Sequence, residues 1–152
     1  MAVTVQNSAQ LDLERQDVRS DHGKFRLQYF KATQDGVGDA TSSWNLCKLP
    51  PGNVRVLPGL SRYSISALGA ARTLDFGHLA YENSVDGALI AADPDAFVAD
   101  IDASSAITGA ALDTAIKIDL YSRRGITVTA QVNDATIPDA AVLEGYIAYA
   151  YE

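Results

Sequence analysis

A chain of 152 residues with 47% apolar and 20% charged residues is long enough for one domain with a real core, which excludes global disorder. Its formal charge of -7, from 12 Lys and Arg against 19 acids, leaves no clustered basic surface for neutralising phosphates, so nucleic acid is not expected as a partner. The single cysteine, Cys47, excludes an intrachain disulfide and, in an apolar stretch between Leu46 and Leu49, reads as a small buried hydrophobe.

Residues 1–23 are mostly polar, with Leu11, Leu13 and Val18 as the main apolar contributors beyond the first positions. Such a segment cannot bury itself, and the spacing of Leu11 and Leu13 suits a strand face. It is expected to be an extended arm, either loose or packed on another subunit. The remainder, 24–152, is expected to be one domain.

From Lys24 the apolar period becomes two. Phe25, Leu27 and Tyr29 alternate with Arg26, Gln28 and Phe30, which gives a strand with one greasy face. A loop rich in Gly, Asp, Thr and Ser (33–43) leads to a second strand over 43–49 carrying Trp44, Leu46 and Cys47. Pro50-Pro51-Gly52-Asn53 then makes a tight turn, because Pro fixes φ and Gly or Asn accepts a positive one. Val54 and Val56 open the next strand, Tyr63, Ile65 and Ala67 mark another, and Leu74, Phe76 and His78 a further one.

Asp93 to Ile101 departs from this period. Asp93 suits an N-cap, Pro94 the first helical position, and Phe97, Val98 and Ile101 recur at helical spacing, so the pattern predicts a short helix over 93–101. After a small-residue stretch (104–111), strands are expected over 115–121, 125–132 and 143–151. Seven or eight short strands with turn signals between them predict an all-β domain, a single β-sandwich or jelly-roll-like fold with one short helix and an N-terminal arm.

No catalytic or metal-ligating motif stands out. His22 and His78 form no H-E-x-x-H or H-x-H pattern, and no nucleophile elbow, Walker loop, dinucleotide fingerprint or EF-hand spacing occurs. The carboxylate pairs Asp93/Asp95 and Asp100/Asp102 are accounted for by the expected helix termini and exposure. Neither an enzyme nor a bound cofactor or metal is expected. The run from Thr73 to Ile116 contains eight acids and no Lys or Arg, which reads as a solvated face or as a patch meeting a basic partner. No signal peptide and no apolar run long enough to span a membrane are present, so the chain is expected to be made and assembled in a cytosol.

Aromatic side chains offer the most binding potential. Tyr149 and Tyr151 share a strand parity opposite to Tyr146 and Ala148, so one set is expected to face outward. Tyr149 and Tyr151, together with Leu11, Leu13 and Val18 of the arm, are the candidate partner-binding residues.

Three stretches resemble small head proteins of tailed bacteriophages. They are LCKLPPGNVRVL (46–57), SISALGAARTLDFG (64–77), and DPDAF (93–97) with the later GITVTA (125–130). Over residues 45 to 132 their order is similar to capsid decoration, or cement, proteins. The resemblance carries no active-site residues. It implies a sandwich or jelly roll, often trimeric, that sits on the outer capsid surface and bridges major capsid proteins, in a virion assembled in the host cytoplasm. The alternatives are another virion component, such as a head fibre base or tail protein, and a glycan- or host-surface-binding sandwich.

Overall fold

A computed structural model of the chain describes residues 3–7, 25–113 and 117–151. Two sheets pack face to face. The first contains β1 (Val5–Asn7), β3 (Ser43–Leu49), β12 (Ile126–Asn133), β6 (Thr73–His78) and β9 (Asp93–Asp102), in that spatial order. The second runs β10 (Ile107–Ala111), β5 (Arg62–Ile65), β13 (Val142–Tyr151), β4 (Gly52–Val56) and β11 (Ile118–Ser122), with β2 (Phe25–Thr33) on the remaining edge of β13. A small hairpin of β7 (Tyr81–Glu82) and β8 (Leu89–Ile90) forms a ladder of its own and is tied to the end of β11, where Ser84 N–H donates to the Tyr121 carbonyl at 3.2 Å and Arg123 N–H to the Glu82 carbonyl at 2.9 Å. All pairings are antiparallel except that β1 lies parallel to β3. The expected all-β sandwich is the observed architecture.

The core follows from the period-two pattern. Trp44, Leu46, Leu74, Phe76, Val128, Ala130, Leu143 and Ile147 are fully buried, and where the neighbours Leu46 and Cys47 are both buried the ladder of β3 with β12 shifts register. Tyr63 of one sheet meets Phe76 of the other with ring centroids 5.2 Å apart, so the layers are joined by aromatic packing. The turn signals hold as well. Gly52 at the Pro50-Pro51 turn has φ +109, and Asp134 after β12 has φ +71.

β13 is the central strand of its sheet. β2 covers one edge over nine consecutive residue pairs, while β5 and β4 share the other edge, taking Leu143–Tyr146 and Tyr149–Tyr151. A 3-10 turn at Pro58–Leu60 sits in this fork. There the buried Ser61 hydroxyl donates to the Leu57 carbonyl at 3.0 Å and accepts the Ala148 N–H at 2.9 Å, leaving neither group unpaired.

The helix expected over 93–101 is not formed; Asp93–Asp102 is the strand β9. The helical spacing has a different origin. Val98 pairs with Phe76 and Ile101 with Leu74, so three steps on β9 match two on β6. This β-bulge shifts the phase by one residue. A second and larger irregularity lies between His78, opposite Asp93, and Phe76, opposite Val98. It accommodates Pro94, which sits on an edge strand where a missing N–H costs little. Asp100 takes φ +56 in the bulge, and its N–H donates to the buried Asp75 carboxylate at 2.7 Å. The Asn133 amide donates to the other oxygen of Asp75. Asp75→Ala is expected to leave both donors without an acceptor and to cost about 2 kcal/mol, with amide hydrogen exchange at Asp100 accelerated; unchanged exchange there would remove Asp75 as the clasp of the bulge.

The small-residue stretch 104–111 holds an edge strand that its pattern did not predict, β10 over Ile107–Ala111. The beginning of the expected arm is docked. Ser43 N–H donates to the Thr4 carbonyl at 2.9 Å, Thr4 N–H to the Ser42 hydroxyl at 2.8 Å, and Gln6 exchanges two bonds with the Asp35 main chain. Leu11, Leu13 and Val18 lie outside the described residues.

Candidate binding surface

β2 inverts the parity that its sequence suggests. Phe30 and Ala32 are buried, with Arg26 and Gln28 on the same inward side, whereas Phe25, Leu27 and Tyr29 are 52%, 37% and 57% exposed. The apolar side of this strand is the outer face of the second sheet. Large apolar side chains aligned on a wet face signal a contact surface more readily than scattered ones do.

The neighbours of β2 extend the surface in cross-strand rows. Tyr29 stands opposite Tyr146, and Tyr146 opposite Arg62. The two tyrosine rings meet edge to face with centroids 5.6 Å apart. In the next row Lys31 stands opposite Glu144, with an ion pair at 3.2 Å, and Glu144 opposite Ser64. Between the rows runs an open groove of about 360 Å³. The Arg62 guanidinium is turned onto the Gly59 and Ser61 carbonyls at 2.7 and 2.9 Å, which fixes it at the groove wall. Gly145 supports this arrangement from beneath. A Cβ there would lie 2.2 Å from the Arg62 carbonyl oxygen, so only glycine lets β5 approach β13 this closely.

Tyr149 and Tyr151 lie on the other parity. Tyr149 is 6% exposed and part of the core, and burial pushes its hydroxyl pKa up. Tyr151 is half-buried, with its ring over Gly52. The outward set is therefore that of Tyr146. Sequence reasoning did not single out Phe25, Leu27 and Tyr29 as binding residues; the signal was the polar Arg26 and Gln28 leading into Phe30 and Ala32 on the opposite side.

A second exposed apolar feature is the β7–β8 hairpin, where Val85 and Leu89 are about three-quarters exposed. Its turn is held by Asn83 Oδ1 accepting from Val85 N–H and Asp86 Oδ1 from Ala88 N–H, and Arg123 pairs with Glu82 at 3.1 Å.

Lys117 and Arg55 hold the Asp119 carboxyl below the ordinary carboxylate range. A hydrogen bond with Asp95, with burial adding to it, raises that of Asp93. Buried His78 lies between Tyr81 and Phe97, at centroid distances of 5.1 and 6.1 Å. Among the described residues no three His, Cys, Asp or Glu side chains gather as metal ligands, and no helix is long and apolar enough to cross a membrane. Cys47 is fully buried, and desolvation pushes its thiol up to about 12. Because the thiolate is the reactive species, a disulfide reagent is expected to leave the native thiol intact and to titrate it fully on unfolding; rapid native reaction would contradict this packing.

No family model matches the chain, and none of the curated proteins does. Solved structures do. One is a chain of the "Capsid of Ralstonia phage GP4", with a TM-score of 0.65 and 16% identity over 98% of this chain and 99% of that one. Another is a chain of the "Cyanophage Pam1 capsid asymmetric unit", with a TM-score of 0.59 and 13% identity over 95% and 99%. The fold is shared with two phage capsid chains. Both alignments run nearly end to end, so each of these chains is about the length of this one and has the same two-sheet body.

Proposed function

We propose that the chain is a virion structural protein, a cement protein that binds the outer surface of a phage shell and stabilises its major capsid protein lattice. The observation that carries this reading is the end-to-end match to chains of two phage capsids. It agrees with the resemblance in the sequence, which points to the same class of head protein. An outer sheet face bearing Phe25, Leu27 and Tyr29 suits a protein whose work is adhesion.

The mechanism is mass action. A protein that binds the mature lattice and not its precursor stabilises the mature state by RT ln(1 + [L]/Kd) per site, and repeated attachment over the shell multiplies modest contacts. Leu11, Leu13 and Val18 of the arm reach a neighbouring subunit as an added strand, anchored at their start by the docked β1.

Since β1 bonds to the body, the test substitutes rather than deletes the arm. Leu11→Asp, Leu13→Asp and Val18→Asp together are expected to lower co-sedimentation with purified shells at least tenfold while the domain stays folded. Unchanged occupancy would remove the arm from the contact, and no co-sedimentation of the unaltered chain would remove the cement reading itself. A second reading, glycan binding, is favoured by the groove beside Tyr29 and Tyr146, with Lys31, Glu144 and Ser64 on its wall. A glycan array without a hit would count against it.

A further inference from the structure

We infer that the edge of β2 away from β13, which no described strand covers, pairs with β2 of a second copy of this chain, antiparallel about a two-fold axis at Tyr29. The proposal goes beyond the cement reading and does not depend on it.

The inference starts from how the fold treats its edges. An open strand edge is a row of unpaired N–H and C=O groups, and proteins blunt such edges by shortness, bulges, proline or charge. β1 is three residues long. β9 carries Pro94, four aspartates and two register shifts. β10 has five residues, a register shift and Gly109 at φ +62. β11 has five residues and the Arg55–Asp119–Lys117 charge cluster. β2 lacks the first three, and its charges are Arg26 on the inward side and Lys31, which is paired with Glu144 of β13. It is nine residues long, keeps an unbroken register with β13, and contains neither Pro nor Gly. Among the described residues β13 is its single ladder partner.

The direction of its free groups follows from the ladder. Gln34 N–H donates to the Ala141 carbonyl at 2.8 Å, in the same register as the rest of β2 and β13. Antiparallel alternation then turns the main-chain groups of even-numbered residues toward β13 and those of odd-numbered residues, Phe25 through Thr33, toward the open edge. These odd residues also carry the exposed apolar side chains.

A second copy fits this edge on charge and on symmetry. Two chains of charge -7 repel one another over most of their surfaces. β2 holds Arg26 and Lys31 and no acid, and Glu144 beside it is neutralised by Lys31. The register that pairs all nine residues sets Tyr29 against Tyr29, Leu27 against Lys31, and Arg26 against Ala32, so no like charges are opposed. The outer face then carries a continuous row of four tyrosines, Tyr146 and Tyr29 from each copy. A three-fold ring would need β2 to meet a different edge head to tail, and the other edges are the blunted ones.

Sedimentation equilibrium over a concentration series tests the inference. Twice the chain mass of 16.2 kDa is expected; a single chain mass throughout, or three times that mass, would overturn it. Tyr29→Glu and Tyr29→Lys each place like charges on the axis at an exposed position, and each alone is expected to sediment at the single chain mass, while Trp44 emission stays that of the folded chain. An equimolar mixture of the two variants is expected to recover the double mass. Dimers that survive both substitutions, or a mixture that stays monomeric, would place the contact elsewhere.

Discussion

Gly77→Ala is expected to destabilise the domain by about 4 kcal/mol, among the largest effects a single methyl group can have. Gly77 lies in β6, and a Cβ there would stand 1.9 Å from the Asp93 carbonyl oxygen and 2.4 Å from the Pro94 carbonyl carbon. Both obstacles are main chain, so no rotamer change relieves the overlap, and β9 must move away from β6. That movement breaks the pairing of His78 with Asp93 and loosens the Phe97 ring over His78. Gly36→Ala is the control. It has φ +71 and open space around it, so the cost there is backbone strain of about 1 kcal/mol. Urea unfolding followed through Trp44, the one tryptophan and fully buried, measures both; equal midpoints for the two variants would contradict the close approach of β9 to β6.

Phe76→Ala is expected to cost about 3–5 kcal/mol. The side chain is fully buried, and its ring joins the two sheets through Tyr63. Removing it deletes apolar burial and leaves a cavity that rigid strands on both sides close poorly. For a domain of this size the loss corresponds to a fall in Tm of roughly 10 °C. A fall of a degree or two would mean that the layers are not joined at this point.

How far the sequence reveals this fold can be judged strand by strand. β12 and β13 follow from alternation, because each pairs over most of its length and keeps one side in the core, and β3 is legible although a register shift against β12 buries both Leu46 and Cys47. β9 defeats the same reasoning. Its bulge puts Val98 and Ile101, three residues apart, opposite the buried Leu74 and Phe76, and that spacing in a sequence belongs to a helix. The Asp-Pro start reinforces the wrong reading, since a proline accepted at a helix N-terminus is equally accepted on an edge strand. β10 is hidden for a different reason: its small residues and its bulge leave little apolar alternation to detect.

The surface was less legible than the core. In β2 apolar residues occupy both parities, and which side faces inward is decided by tertiary contacts. Phe30 and Ala32 pack inward beside Gly145, where the missing side chain makes room for the Phe30 ring. That dependence joins residues over a hundred positions apart and is invisible in a local window. The tyrosines near the C-terminus show the same limit. Alternation separates Tyr146 from Tyr149 and Tyr151, and only the partner strands decide that Tyr146 is the one facing outward.

The proposed role is attachment of this two-sheet body to the outside of a phage shell. Cryo-electron microscopy of shells assembled with and without the chain is the most direct measurement. Added density on the outer surface is expected, repeated with the lattice and fitted by the two packed sheets. Shells with identical outer density, and the chain left in the supernatant, would contradict it.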